Sequence, residues 1–385
     1  METDALDYDL PPERIATVPV SPRDAARLMV CDRATGVVHH RRVGDLPSLH
    51  AEGLPGPRRG DLMLTNTSRV VPARFLGRRR ETGGRVEGLF LAEEPALADA
   101  AAHPGPRWRV MFETRGKLRT GETIALRRGE AEADHETETP HALDLLDAIG
   151  EGVWRCALRS RNVAPSTWSV LESIGSTPLP PYIRKARRLA GMAERSAEDR
   201  QRYNTVYAKE PGSVAAPTAG LHFTPELLSA LDEAGIRRMA VTLHVGPGTF
   251  APVRSERLED HAMHAERVEV PDEVVRAMAE ARSRGGRVLT VGTTTVRAIE
   301  SVPASAAAKG EGMLGPTDLF IAPDNGFAFR FTDALMTNFH LPRSTLLAMV
   351  SALPGVGVQR LLAWYREAID EGYRFYSYGD AMLVV

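Results

Sequence analysis

Between Arg69 and Leu126 the chain runs through the short segments VVPARFLG, GRVEGLFL, WRVMFE and ETIAL, in which apolar and polar residues alternate. Gly-rich or charged turns separate them, and no helical period interrupts them. Period-two patterning with no amphipathic helix restricts the stretch to an all-β unit, and such short strands predict a small β-barrel. Upstream, LMVCDRATGVVHH predicts a β-hairpin between Arg27 and His40 that turns at Ala34, Thr35 and Gly36, followed by a strand at Asp61 to Leu64. The acidic run from Gly129 to Gly152 predicts a loop with a short helical turn at the barrel rim.

Beyond that run the texture changes. Helical patterns at Ala197 to Ala208, Pro225 to Ala234, Asp272 to Ser283, Thr295 to Ser301 and Ser344 to Leu353 alternate with strands at Met239 to Val245 and Arg287 to Val291. This is the alternation of a layered α/β domain. At 385 residues the chain has room for two domains. The fold class expected is α/β: a large layered α/β domain from residues 1–68 and 153–385, with a small β-barrel domain inserted at 69–152. The small-residue stretch Pro303 to Gly315 reads as a mobile surface loop outside the site scaffold.

Composition narrows the function classes. Cys31 and Cys156 have no CxxC spacing around them, which excludes a disulfide framework or zinc knuckle. The opening METDALDYDLPPE lacks an apolar leader segment, and no apolar run reaches the length of a membrane span, so a cytoplasmic protein is expected. Basic residues are 44 arginines and four lysines, yet the net charge is −2, so any RNA contact must be a local patch.

Four segments carry candidate chemistry. In SVAAPTAGLHFT, Thr224 is suited to cap a helix opening at Pro225, and His222 lies just before those free amides. In TLHVGPGTFAPV a strand bearing His244 runs into glycines 246 and 248, which permits close approach of a ligand at a strand end. The third glycine of a dinucleotide fingerprint is missing, because position 251 is alanine. HAMHAE places His261 and His264 three apart; in a helix they would share a face and suit acid/base work, whereas no third ligand at customary spacing supports a metal. Finally, TDALMTNFHLPRSTLL, VGTTTVRAIES and YRFYSYGDAML bring Asn338, His340, a hydroxyl-rich strand-to-helix loop and Asp380.

Together with DYDLPPERIA, RVVPAR, LPPYIRK, DRQRYNTVYA and TDLFIAP, these segments closely resemble the S-adenosylmethionine:tRNA ribosyltransferase-isomerases of queuosine biosynthesis, in the family's order along nearly the whole chain. The resemblance implies transfer of the ribosyl group of S-adenosylmethionine to the aminomethyl group of a 7-deazaguanine at the tRNA wobble position. The product is epoxyqueuosine, with adenine and methionine released. It implies S-adenosylmethionine as co-substrate with no further cofactor and no metal, a tRNA anticodon stem-loop as partner, no membrane, and a monomer.

On this resemblance His222, His264, Glu266 and His340 are the catalytic candidates. Thr218, Gly220, Thr224, His244, Gly246, Gly248, Thr249, Asn338 and Asp380 would hold S-adenosylmethionine, with Arg254, Arg297 and Asn338 available for its carboxylate or for the target base. Arg184, Lys185, Arg187 and Arg188 would meet the RNA backbone. Departures lie mainly on the barrel side: Asn66, Thr67, Ser68, Arg69 replaces the family's Asn-Asp-Thr-Arg, and Glu113 stands where it has an arginine. These leave open a relative that serves another acceptor, or an RNA binder without catalysis.

Overall fold

The computed structural model describes residues 1–385 apart from 96–104, 129–136, 151, 162–165, 247–252, 254 and 262. In chain order the strands are β1 (Arg27–Cys31), β2 (Val38–Arg42), β3 (Leu62–Asn66), β4 (Ser68–Val70), β5 (Arg74–Arg79), β6 (Arg85–Glu94), β7 (Arg107–Thr114), β8 (Thr123–Arg128), β9 (Thr137–Gly150), β10 (Val153–Ser160), β11 (Glu210–Ser213), β12 (Arg237–Leu243), β13 (Glu266–Val270), β14 (Val288–Val291), β15 (Met313–Thr317), β16 (Ala334–Asn338) and β17 (Ala381–Val384). The helices are α1 (Thr167–Ile174), α2 (Pro181–Leu189), α3 (Asp199–Arg202), α4 (Pro225–Glu233), α5 (Asp272–Ser283), α6 (Thr293–Glu300), α7 (Ala304–Ala307), α8 (Thr345–Ser351) and α9 (Val358–Asp370).

The described residues fall into two compact units, Met1–Arg69 with Asn204–Val385, and Val70–Tyr203. In the first, nine strands form one sheet in the order β15-β13-β12-β3-β14-β16-β17-β1-β2. Its centre, β12-β3-β14-β16, is parallel throughout. The sequence of β3 shows why both faces are covered. Met63 packs with Leu227, Leu231 and Phe223 on one side, whereas Leu62 and Leu64 pack with Val274, Val275 and Met278 of α5 and with Ala298 and Ile299 of α6 on the other. A strand apolar on both faces needs helices on both, which makes the unit a layered α/β domain.

The second unit contains a closed barrel in the order β10-β7-β6-β5-β8-β9. Trp108, Phe75 and Phe90 fill it with tilted and edge-on ring contacts. The expected end of the inserted domain at 152 falls one strand short, because β10 pairs with both β7 and β9 and closes the barrel, and the unit runs on to Tyr203. The acidic run was expected as a loop, but Thr137–Gly150 is β9. Its Leu143 and Leu145 are buried while Asp144 and Asp147 face Arg159 and Arg155 of β10, so cross-strand ion pairs carry the charge that suggested a loop.

Two further expectations change. The stretch 303–315 holds the short α7 and the start of β15, which pairs with β13 at the sheet edge, so it belongs partly to the scaffold. The helix expected at 197–208 is only the four-residue α3. No described helix is long and apolar enough to cross a membrane.

Candidate active site

Parallel neighbours end on the same edge of a sheet, and open α/β sheets bind ligands outside those carboxyl ends. Here Asn66 ends β3, His244 to Gly246 follow β12, Gly292 follows β14 and Asn338 ends β16. The antiparallel partners contribute their beginnings to this edge: β13 opens with Glu266, and Asp380 immediately precedes β17.

Asn66 binds the edge together. Its Oδ1 accepts from the Leu243 N–H at 3.1 Å and the Ser68 N–H at 3.0 Å, and its Nδ2 donates to the Leu243 carbonyl at 2.9 Å and to Thr294 Oγ1 at 3.3 Å. One amide thus extends the β3–β12 ladder and reaches the first turn of α6. Gly292, at φ +91°, makes the turn into that helix, a conformation that a side chain disfavours.

One polar group gathers at the β12–β13 end. The Gly246 N–H donates to Glu266 Oε1 at 2.7 Å, and Arg297 of α6 pairs with Glu266 Oε2. Arg297 Nε donates to the Leu319 carbonyl at 3.1 Å, while its buried Nη2 has no partner among the described residues. The Nδ1 of His244 is likewise buried and unpartnered among them. Burial, followed by the nearby Arg267 charge, lowers the His244 pKa.

A second group lies at the β16–β17 end. Asn338 Nδ2 donates to the carbonyls of Tyr376 at 3.0 Å and Asp380 at 3.4 Å, and lies 3.3 Å from His222 Nε2. Asp380 accepts from the Arg374 N–H at 2.8 Å, Arg374 Nη2 at 3.1 Å and the Arg27 N–H at 3.2 Å. Its carboxylate shapes the 374–380 loop, in which Gly379 is required because a Cβ there would stand 2.4 Å from the Arg374 carbonyl oxygen. Burial brings His222 down to about 4 despite the opposing influence of Asp380.

The other expected residues are spread more widely. His340 is buried, with Nε2 at 2.9 Å from Thr337 Oγ1; the Tyr8 hydroxyl donates to its carbonyl and the Tyr365 hydroxyl accepts from its N–H at 3.0 Å. Burial brings its pKa down to about 3. His264 is exposed and has no hydrogen-bond partner among the described residues. Residues 263–265 carry no helix, so the shared helical face considered for His261 and His264 does not form. Thr224 caps α4 by accepting from the Leu227 N–H at 3.1 Å, as its sequence predicts. A Cβ on Gly220 would stand 2.2 Å from the Tyr207 hydroxyl, so packing explains that glycine. Thr218 is half-buried beside it. Gly248, Thr249 and Arg254 lie outside the described residues.

In the barrel unit the basic tract divides. Arg187 is 3% exposed and grips Asp199 with two 2.7 Å bonds, which corrects its expected contact with RNA: a guanidinium spent on a buried carboxylate has nothing to offer a phosphate. Arg184 is half-buried and, with Arg74 and Arg195, surrounds Glu87. Arg188 is exposed and pairs with Glu194, and Lys185 is exposed with no partner among the described residues.

The profile of the family described as queuosine biosynthesis protein matches residues 3–384. The chain belongs to that family. It is 46% identical over 388 residues to the S-adenosylmethionine:tRNA ribosyltransferase-isomerase of Anaeromyxobacter dehalogenans, covering 100% of this chain and 99% of the relative. It is 42% identical over 387 residues to the relative of the same name from Moorella thermoacetica, covering both chains fully at 100%. The crystal structure of an S-adenosylmethionine tRNA ribosyltransferase from Thermotoga maritima aligns with 30% identity and a TM-score of 0.49, over 99% of this chain and 100% of that one. Family membership draws attention to edge residues that sequence reading passed over. Asn66 enters the sequence reading only as the first residue of a motif that departs from the family at Thr67 and Ser68; its place at the last position of a buried strand is the available signal. Arg374 and Tyr8 fall inside the segments YRFYSYGDAML and DYDLPPERIA, but spacing gives no sign that Arg374 holds Asp380 or that Tyr8 reaches the His340 carbonyl 332 positions away.

Proposed function

We propose that this chain is a cytoplasmic, monomeric transferase-isomerase that moves the ribosyl group of S-adenosylmethionine onto an aminomethyl-deazaguanine in tRNA. Adenine and methionine leave, and S-adenosylmethionine is the co-substrate with no resident cofactor. Full-length relatives of that name support the reading. The observation that carries it is that the Glu266–Arg297–Gly246 and His222–Asn338–Asp380 groups both lie along one carboxyl edge of the sheet.

The chemistry asks for a base at the acidified ribose 5′ position, a proton for departing adenine, and support for developing charge. Of the proposed catalytic histidines, His222 and His340 are buried and pulled toward 4 and 3, which makes them weak bases. His264, two residues before Glu266, is the one of the three that is exposed to solvent. We therefore give His264 the acid/base role and the two buried histidines neutral, hydrogen-bonding roles. Arg297, through its unpartnered Nη2, is suited to the methionine carboxylate. Thr218, Gly246, Gly248 and Thr249 would line the same pocket, and Lys185 and Arg188 would meet RNA phosphates.

The test is chromatographic detection of adenine and methionine released from S-adenosylmethionine, with and without an anticodon stem-loop bearing the aminomethyl-deazaguanine. Release that requires the modified RNA is expected. Binding of S-adenosylmethionine without release in its presence would instead favour another acceptor.

A further inference from the structure

Asn338 is the last residue of β16 and is 2% exposed. Its orientation is fixed by what surrounds it. The carbonyls of Tyr376 and Asp380 can only accept, so the end of the amide that faces them must be Nδ2. Nδ2 also lies 3.3 Å from His222 Nε2, but its two protons already have the two carbonyls as acceptors, so this third neighbour does not fix the imidazole tautomer. Turning the amide over would leave both carbonyls without this donor. Tyr376 adds to the constraint, since it holds φ +71° without being glycine and its carbonyl is one that Asn338 secures.

What remains is Asn338 Oδ1, buried and without a donor among the described residues. A buried amide oxygen left unpaired is unfavourable, and such atoms in a folded protein call for an explanation. This one ends a central parallel strand on the edge where ligands of open α/β sheets bind. We infer that Asn338 Oδ1 is the acceptor for an exocyclic amino group of a purine-like base. A neutral amine suits it better than an ammonium, because an amide oxygen brings no charge to balance a buried cation. Asn338 thereby joins two tasks: Oδ1 reads the base, and Nδ2 ties the carbonyls of Tyr376 and Asp380 to the end of β16.

The inference rests on the transfer reading above, whose two substrates each carry such a base: the adenine of S-adenosylmethionine and the deazaguanine of the RNA. The experiment compares binding ratios by calorimetry, so it needs no turnover and stands apart from the release assay. One arm titrates S-adenosylmethionine and its counterpart carrying hypoxanthine, which has oxygen in place of the 6-amino group. The other titrates modified stem-loops with and without the deazaguanine 2-amino group.

In the native chain one of these pairs is expected to differ tenfold or more. In Asn338→Ala, or Asn338→Ser if the alanine variant does not fold, that ratio should fall to within twofold. A ratio taken within one variant is unaffected by its fraction of active protein, so a merely structural role would not move it. Collapse in the first arm identifies adenine as the donor, and collapse in the second identifies the target base. Ratios that survive substitution in both arms, or native ratios near one in both, overturn the inference.

Discussion

Arg297 meets Glu266 across 31 positions of sequence, and the two side chains are only 1% and 4% exposed. The pair joins helix α6 to the first residue of β13, while the other Glu266 oxygen receives the Gly246 N–H at 2.7 Å. Because charged groups at this depth are tolerated only when paired, one contact fixes the start of β13, the Gly246 N–H and the direction of a guanidinium.

Removing one partner of this pair leaves the other charge buried. Glu266→Gln is expected to cost about 3–5 kcal/mol in urea unfolding. The double variant Glu266→Gln with Arg297→Met should recover much of that loss while remaining inactive. A change below about 1 kcal/mol for the single variant would refute the energetic role given to the pair.

His222 and His340 make stability depend on pH. Their folded values, about 4 and about 3, lie below the 6.5 of an exposed histidine, so below pH 6.5 the unfolded chain binds more protons. Stability contributed by their neutral forms is therefore present above about pH 6.5 and drains away as the pH falls, until about pH 4 for His222 and about pH 3 for His340. His340→Gln should flatten the slope of unfolding free energy between pH 6 and 4.5 by about 1.4 kcal/mol per pH unit. Urea titrations at four pH values would measure it, and an unchanged slope would contradict the neutral, buried state.

His264 differs from them in its exposure. His264→Ala should reduce turnover more than tenfold with a melting temperature within about 2 °C of the native chain. An unchanged rate would remove it from the mechanism.

The basic tract of α2 separates structural from binding arginines. Arg187→Ala should destabilise by about 3 kcal/mol through the stranded Asp199 carboxylate and leave the salt dependence of RNA binding unaltered. Reversing the charges of Lys185 and Arg188 together should weaken RNA binding and lower the slope of log K against log salt by about 2. Equal slopes for the native chain and that double variant would exclude both residues from phosphate contact.

Much of the architecture was legible because it rests on local rules. The alternation after Arg69 identified an all-β unit, Thr224-Pro225 marked the start of α4, and the turn at Gly36 joined β1 to β2. Motif resemblance supplied the family, which the comparisons establish. The acidic β9 was misread because half its residues face solvent and their charges are balanced only by arginines on the next strand. The short β16 was missed for a related reason: TDALMTNFH has no alternation, since a central parallel strand is buried on both faces.

The sequence by itself determined which residue types are present to do chemistry, the order of the elements that carry them, and the helix caps that local hydrogen bonding settles. Tertiary structure decided which of those residues are free. It tied Arg187 to Asp199, gave Asp380 to its own loop, paired Glu266 with Arg297, and left Asn338 Oδ1 and Arg297 Nη2 without partners among the described residues. The physical reason is that partnership of a buried polar group depends on what long-range packing brings within about 3 Å of it, and sequence spacing carries no record of that distance.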